Sequence, residues 1–486
     1  MNDTYLRNDA TGLAALITAG EITADEMLDA ALARVEALNP ALNAVVHLRE
    51  DVARDAIRAG LPEGPFRGVP FLLKDLGAEA VDFPTSNGSR LTPDQRWSHD
   101  SEIFLRMRAA GLVTFGRTTS PEFGIGGVTE AQVYDGPTRN PWNPGHTSGG
   151  SSGGAGAAVA AGIVPVAHGS DGGGSVRIPA SCCGLVGFKP TRARLPEGPM
   201  AGEGWAGMSI DGFLSRSLRD SAAMLDATQG PDLGAPYWPP PLRGTYLGAM
   251  QTPPGRLRIV YSTRTLGGAA IHPECVAAVE NAARLLADLG HEVAEFSPPP
   301  GLDVEAMMHA WTRIVACGTA LSVRDILDGA DLDPVLIEGV TRGAIAYAQT
   351  LSGADYLQAV GEIHAFGRRM AEVFLNCDVL LTPTLAELPA KVGRLKPDNE
   401  DFVAYRTGKG GMFEYSPFTA IFNASGQPAV TLPLHWSAAG LPVGVHLAMA
   451  FGEDERLMSL AAQIERTAPW ATFQQRLIDA GGVLSA

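Results

Sequence analysis

Two serine–glycine clusters contain the residues of this sequence that are best suited to catalysis. "GGSSGG" occupies residues 149–154, and "SDGGGS" occupies residues 170–175. Successive glycines can turn several backbone N–H groups toward one point, because no Cβ blocks a close approach. Such groups stabilise the oxygen that becomes negative when a carbonyl is attacked. Ser175, directly after three glycines, is therefore a candidate nucleophile for acyl transfer.

A serine hydroxyl needs a base that removes its proton, and the sequence offers a lysine for this role. Lys74 lies near the end of "FRGVPFLLKDL", residues 66–76, whose apolar pattern predicts a buried strand. Burial disfavours the charged ammonium and moves the pKa of a lysine toward neutrality. The histidines fall in no nucleophile-elbow context, so an α/β-hydrolase triad is not predicted.

Glycine-rich runs also cradle phosphates, so a nucleotide-binding protein is a second interpretation. The sequence has no GxxxxGK[ST] motif, and no GxGxxG motif follows a strand in the required register. Acidic residues outnumber basic ones by 53 to 37, and the formal net charge is −16. This charge opposes binding to nucleic acid and to anionic membranes. Small neutral or cationic partners are easier to reconcile with this charge, and we expect no nucleic acid and no membrane as partners.

Length and composition indicate a globular protein. The 486 residues are 45% hydrophobic and 19% charged, which is ample for a core, and large α/β enzymes often place such a length in one domain.

The five cysteines have no CxxC spacing, which argues against a zinc site or a disulfide framework. The N-terminus lacks the form of a signal peptide, and no apolar stretch approaches the roughly 20 residues of a membrane span. A reduced, cytoplasmic setting is expected.

The order of predicted elements is that of a layered α/β protein. Residues 11–38 have apolar positions at helical spacing, with a capping box before the second helix. Residues 101–117 and 274–295 each predict a helix followed by a strand, and residues 378–383 predict a buried strand. The Pro- and Gly-rich residues 230–256 show neither period and indicate a long surface connection.

Several segments together resemble the amidase signature family, whose hydrolases use a Ser, cis-Ser and Lys triad. They are "GGSSGG", "GSDGGGSVRIPAS" at residues 169–181 and "GVPFLLKD" at residues 68–75. "NPWNPG", "GLVGFKPTRARLP" and the C-terminal "NASGQPAVTLPLHWSAAGLPVGVHL" also resemble family segments, so the resemblance covers nearly the whole chain. The "DGGGS" form is similar to the subgroup with nylon cyclic-dimer hydrolases and aryl acylamidases.

The resemblance implies a single amidase signature domain over residues 1–486. Its fold is α/β, with a mixed, twisted central β-sheet covered by helices on both faces. Residues 1–60 would form a helical N-terminal layer. The helix-rich residues 303–375 would form an insertion that covers the site.

The resemblance also implies the roles of individual residues. Ser175 would be the nucleophile, Lys74 the base, and Ser151 the bridging serine after a cis peptide bond. The implied oxyanion hole consists of the N–H groups of Gly172, Gly173, Gly174 and Ser175. The residues implied to support the loop are Gly150, Ser152, Asp171 and Arg177.

The implied reaction is two-step acyl transfer that needs no metal and no cofactor. Lys74, when neutral, draws a proton through Ser151, Ser175 attacks the carbonyl, and water then hydrolyses the acyl-enzyme. The expected substrates are linear or aryl amides, with esters, carbamates and oligoamides as further options. The residues predicted to line the substrate pocket are Met200, Trp205, Met208 and Cys317.

Two other functions remain open from the sequence. The chain could be the amidase subunit of a glutamine-dependent tRNA amidotransferase, although the net charge and the "DGGGS" form weigh against it. It could also be a non-catalytic binding protein on the same fold, which would have no need of Lys74, Ser151 and Ser175 together. The sequence leaves the oligomeric state open, with a homodimer as one option.

Overall fold

A computed structural model describes residues 2–484 of the chain. Its strands are β1 (Val45–Val46), β2 (Pro70–Lys74), β3 (Val113–Thr118), β4 (Arg139–Asn140), β5 (Asn143–Thr147), β6 (Val166–Ser170), β7 (Val186–Lys189), β8 (Asp211–Ser215), β9 (Arg258–Tyr261), β10 (Glu292–Glu295), β11 (Val379–Pro383), β12 (Ala429–Trp436) and β13 (Pro442–Met449). Its α-helices are α1 (Asn2–Arg7), α2 (Ala10–Thr18), α3 (Ala24–Leu42), α4 (Glu50–Ala59), α5 (Glu102–Ala109), α6 (Gly153–Ala160), α7 (Arg177–Cys183), α8 (Leu218–Thr228), α9 (Tyr246–Met250), α10 (Pro273–Asp288), α11 (Val304–Leu327), α12 (Gly339–Gln349), α13 (Gly353–Asn376), α14 (Phe402–Thr407), α15 (Met412–Tyr415), α16 (Ala420–Ser425), α17 (Asp454–Thr467) and α18 (Ala471–Asp479). Short 3₁₀ turns lie at Glu122–Gly124, Gln132–Tyr134 and Pro334–Leu336.

Eight strands form a mixed central sheet in the order β10–β9–β11–β13–β12–β7–β8–β6. β9 pairs in parallel with β10 and with β11, and the remaining neighbours pair antiparallel. Every residue of β11 and β13 is buried, so both faces of the sheet centre are covered. The predicted α/β fold with a mixed central sheet is confirmed.

A smaller sheet, ordered β1–β3–β2, carries the predicted base. β2 runs parallel to β3, and all five residues of β2 are buried. The backbone N–H of Lys74, the last residue of β2, donates to Nδ1 of His168 in β6 over 3.2 Å. The carboxyl end of β2 therefore lies against the edge strand of the large sheet, and the candidate site forms where the two sheets meet.

Helix α6 is built from the small residues "GGAGAAVA", and all of them are buried. A Cβ on Gly154 would lie 2.4 Å from the backbone nitrogen of Thr119, directly after β3. Small side chains thus let the helix backbone pack directly against the smaller sheet's end. This packing fixes the start of α6, where the first serine cluster lies.

Helices dominate both regions for which the sequence predicted them. The first sixty residues contain α1 to α4, and the predicted capping box at α3 is confirmed, with Thr23 and Glu26 each accepting the other's backbone N–H. Residues 303–375 contain α11, α12 and most of α13. Among residues 2–484, no helix combines the length and the apolar character needed to cross a bilayer.

The Pro- and Gly-rich connection contains one element that the sequence did not predict. Helix α9 begins after Thr245, whose hydroxyl accepts from the N–H of Gly248 over 2.9 Å. Asp226 accepts from the N–H groups of Tyr246 and Leu247 over 2.7 and 3.0 Å. A helix of five residues is too short to show a period, and these contacts from a distant residue stabilise it.

Gly154→Ala should lower the free energy of unfolding by about 1–3 kcal/mol, because the added methyl group overlaps fixed backbone. Gly361→Ala is the matched control, since it is also helical but has no atom within 4 Å of the added Cβ. It should raise stability by about 0.5–1 kcal/mol through the gain in helix propensity. Denaturant titration measures both, and changes of the same sign would contradict the packing described for α6.

Candidate active site

Lys74 and Ser151 form the most direct contact between the predicted catalytic residues. Lys74 is fully buried, and its Nζ donates to Ser151 Oγ over 2.6 Å and to Ser170 Oγ over 2.9 Å. Burial lowers the pKa of Lys74 to about 7, although the carboxylates of Asp211 and Asp171 oppose part of this shift. A large fraction of the amine is therefore neutral near pH 7 and able to accept a proton.

The main chain of Lys74 is held by two buried side chains that sequence reasoning missed. Arg117 donates to the carbonyl oxygens of Lys74 and Gly77 over 2.6 and 3.1 Å. His168 Nδ1 accepts from the Lys74 N–H, so its Nε2 carries the proton that faces Asp211 Oδ1 at 3.1 Å. An arginine in β3 and a histidine in β6 gave no sequence signal, since their partners are backbone atoms of another segment.

The backbone around Ser151 brings the two serine clusters together. The Gly150–Ser151 peptide bond is cis, as the family resemblance implied. A Cβ on Gly150 would lie 2.7 Å from the nitrogen of Val128, so only glycine fits there. The N–H of Ser152 donates to the carbonyl of Ser175 over 3.1 Å, and Ser151 and Ser175 line the same cavity.

The loop before Ser175 is anchored through its carbonyl oxygens. The indole N–H of Trp311 donates to the carbonyl of Gly172 over 3.1 Å. The Thr419 hydroxyl donates to the carbonyl of Gly173 over 2.6 Å. Because the C=O and N–H of one peptide plane point in opposite directions, these anchors fix the orientation of the following N–H groups.

One predicted member of the oxyanion hole is already engaged in another hydrogen bond. The N–H of Gly174 donates to Asp171 Oδ1 over 2.7 Å, and the φ of Gly174 is +125°, which favours glycine. The N–H groups of Gly172, Gly173 and Ser175 have no acceptor within the described part of the chain. The structure therefore reduces the predicted set of four free donors to three, because a tertiary contact fixes where each peptide plane points.

Asp171 and Arg177 form a buried ion pair beneath the loop. Arg177 donates to Asp171 through Nε over 2.9 Å and through Nη2 over 2.8 Å, and also to Asn423 Oδ1 over 2.7 Å. Burial alone would raise the pKa of Asp171, but the Arg177 guanidinium and the Asn423 amide hold it well below its usual range. The residues predicted to support the loop thus lie under it, and Asn423 is a further member that the sequence did not single out.

Ser151 and Ser175 open into a cavity of about 620 Å³. Trp205 forms one wall, and a Cβ on Gly172 would lie 2.6 Å from its ring. Trp205 also packs edge-on against Trp311, with 5.6 Å between ring centroids. The bare glycine backbone therefore accommodates an aromatic wall on one side while its N–H groups remain available.

The other three predicted pocket residues do not line this cavity. Met200 is 77% exposed and Met208 is 1% exposed, because the irregular loop around Trp205 turns one methionine to solvent and the other into the core. Cys317 borders a separate cavity on α11. Its neighbour Gly318 faces Trp205 from α11, and one residue along a helix rotates the side-chain direction by about 100°.

Comparison with known proteins assigns the family. The family model described as "Amidase" matches residues 26–458. The chain belongs to the amidase family. The "6-aminohexanoate-cyclic-dimer hydrolase" of Paenarthrobacter ureafaciens is 37% identical to this amidase over 490 residues, covering 99% of this chain and 98% of the relative.

Two solved structures of relatives have the same fold as this amidase. "Structure of 6-aminohexanoate cyclic dimer hydrolase complexed with substrate" superimposes with a TM-score of 0.89 at 35% identity, covering 96% of this chain and 98% of that one. A bacterial aryl acylamidase described as an amidase signature enzyme gives a TM-score of 0.86 at 28% identity, covering 97% and 98%. The predicted family, subgroup and amidase activity are confirmed, and the amidotransferase alternative is not favoured.

The pH profile of hydrolysis should report the protonation of Lys74. Because only the neutral amine accepts a proton, kcat/KM should rise with pH up to a midpoint at about 7 and level off above it. The measurement is the initial rate with a short acyl p-nitroanilide across the neutral range, with circular dichroism at each pH as the control for folding. A rate that is constant from pH 6 to pH 8, or that falls as pH rises, would contradict a basic role for this lysine.

Proposed function

We propose that this amidase hydrolyses carboxamides through an acyl-enzyme formed on Ser175. The observation that carries the proposal is the 2.6 Å contact between Lys74 Nζ and Ser151 Oγ in a fully buried setting. A lysine with a pKa of about 7 can serve as a base at neutral pH. Ser175 lines the same cavity as Ser151, which suits a relay from one hydroxyl to the other.

The first half of the reaction forms the acyl-enzyme. Lys74, when neutral, accepts the proton of Ser151, which takes the proton of Ser175 as its oxygen attacks the amide carbonyl. The negative charge that develops on the carbonyl oxygen is stabilised by the N–H groups of Gly172, Gly173 and Ser175. One such donor typically lowers the barrier by about 3–4 kcal/mol, because it is oriented before the reaction begins.

The second half releases both products. The protonated Lys74 returns its proton through Ser151 to the nitrogen of the leaving amine as the C–N bond breaks. Water then attacks the Ser175 ester, with the same relay acting as base, and the carboxylic acid leaves. Linear and aryl amides fit this scheme, and esters, carbamates and oligoamides share the attacked carbonyl.

The proposal includes the setting and the partners expected from the sequence. The substrate is a small-molecule amide with water as co-substrate, and neither nucleic acid nor a membrane takes part. The five cysteines are free thiols, which suits the proposed cytoplasmic location. A homodimer stays a prediction.

A binding protein on the same fold would gain nothing from burying Lys74, because burial of an amine costs stability unless its altered pKa is used.

Ser175→Ala should abolish p-nitroaniline release from a short acyl p-nitroanilide, with a loss of at least about 1,000-fold in kcat, because the attacking oxygen is removed. Ser297→Ala, a substitution at an exposed position, is the matched control and should retain the wild-type rate. Mass spectrometry of quenched wild-type enzyme should find the acyl group on the peptide that contains Ser175. Undiminished turnover by Ser175→Ala would refute the proposed nucleophile.

Trp205→Ala should raise KM about tenfold for substrates with bulky acyl groups, because the cavity loses an aromatic wall. The KM for a small acyl group should change far less, since it leaves that wall unoccupied. The control is Trp238→Ala, at a side chain that is 60% exposed and outside the cavity. An equal rise in KM for large and small substrates would show that Trp205 is not part of the acyl-binding surface.

A further inference from the structure

The catalytic cavity is strongly acidic. Three carboxylates, Glu79, Glu197 and Asp211, line it beside the serines, and a fourth, Asp325, lies on the α11 side. No lysine or arginine is among its lining residues in the described part of the chain. A cavity with walls of low dielectric constant concentrates the field of such charges, so its interior attracts cations and repels anions.

These cavity carboxylates have few hydrogen-bond donors beside them, in contrast to buried carboxylates elsewhere in the chain. Asp171 is paired with Arg177, and Glu122 accepts from Ser89 and from the N–H of Glu338. Within residues 2–484, neither Glu79 nor Glu197 has a hydrogen-bond or ion-pair partner for its side chain. Asp211 has only the ring of His168, at 3.1 Å. The cavity therefore holds acceptors that the protein itself does not satisfy.

The charged groups that act most strongly on Glu197 are all carboxylates. Its charged neighbours are the carboxylates of Asp211, Glu79, Asp232 and Glu203. Burial, together with these like charges, raises the pKa of Glu197 well above its usual range. A cation brought beside Glu197 would oppose this shift and favour the charged form of the carboxyl, which then pairs with the cation.

Aromatic rings complete a surface suited to an ammonium ion. Trp97, Trp205 and Phe123 line the same cavity as the carboxylates. The faces of aromatic rings attract cations, and more strongly where water is excluded. Carboxylates beside aromatic faces form a binding surface that recognises a charged amine more strongly than a neutral alkyl chain of the same length.

We propose that this enzyme prefers amides that carry an ammonium group, which Glu197 and Glu79 hold within the cavity. This specificity rests on the proposed amidohydrolase function. The substrate class comprises amides of ω-amino acids and amides of alkanediamines. The carboxylates act on the charge of the substrate, and the serines act on its carbonyl.

Binding to a protein that cannot turn over substrate provides the first test. The Ser175→Ala protein is titrated by calorimetry with an ω-aminoacyl anilide, the alkanoyl anilide of the same length, and the ω-carboxyalkanoyl anilide. A second pair compares the acetamide of an alkanediamine with that of the matched alkylamine. We expect the ammonium-bearing member of at least one series to bind about tenfold more tightly than the neutral member, and the carboxylate to bind weakest. Equal Kd values in both series would overturn the proposal.

Charge removal identifies the residues responsible. Glu197→Gln and Glu79→Gln, each introduced into the Ser175→Ala protein, should reduce the ratio of the neutral to the cationic Kd by several-fold. Glu295→Gln is the matched control, because Glu295 is exposed on β10, an edge strand far along the large sheet. The control should leave the ratio at its Ser175→Ala value. A ratio that all three variants leave unchanged would contradict the assignment to the cavity carboxylates.

Turnover by the wild-type enzyme separates this inference from the proposed function. Hydrolysis of the anilides without any preference for the ammonium series would leave the amidase function intact and overturn the specificity. Tight binding of the cationic amide without hydrolysis of any amide would support the cation-binding cavity while the proposed reaction fails. The two proposals therefore fail through different measurements.

Discussion

The complete burial of the Lys74 amine is the constraint on which the rest of the site depends. Without water, the ammonium loses its hydration, and the hydroxyls of Ser151 and Ser170 are the groups that remain in contact with it. This lowers the pKa of the lysine to about 7, so the amine can accept a proton near neutral pH. A buried amine must also be held in one position. Arg117 and His168 bind the backbone of Lys74 at the end of its strand, and this fixes where the amine lies.

In the glycine loop, the carbonyl edge and the N–H edge of a peptide plane have different roles. Its carbonyl oxygens accept hydrogen bonds from Trp311 and Thr419, which are structural anchors. The opposite edges carry N–H groups, of which one binds Asp171 and the others have no acceptor among residues 2–484. Tryptophan rings can pack on this loop only because no Cβ intervenes. The same absence of side chains thus serves the packing of the aromatic wall and the availability of the backbone donors.

The charged side chains of the site form two groups, one beneath the loop and one along the cavity wall. Beneath the loop, Asp171 and Arg177 neutralise each other, and Asn423, the Thr419 carbonyl and the N–H of Gly174 are among the groups that complete their hydrogen bonding. In the cavity above it, Glu79 and Glu197 have no hydrogen-bond or ion-pair partner within residues 2–484, and Asp211 has the ring of His168. An ion pair buried with full hydrogen bonding stabilises a single loop conformation, whereas unpaired charges at a cavity wall act on whatever enters. The ion pair holds the loop in place for the attack on the carbonyl. The cavity carboxylates influence which substrate binds.

The sequence by itself determined the family, the α/β fold class and the set of Lys74, Ser151 and Ser175, because these depend on residue type and spacing along the chain. It also predicted the strand that delivers Lys74, since an apolar run is a local property of the sequence. Only the tertiary structure decided that the Gly174 N–H binds Asp171, that Met208 belongs to the core, and that Arg117 and Asn423 support the site. It alone collected Glu79, Glu197 and Asp211 around one cavity, because residues far apart in sequence meet only when the two sheets and their loops pack together.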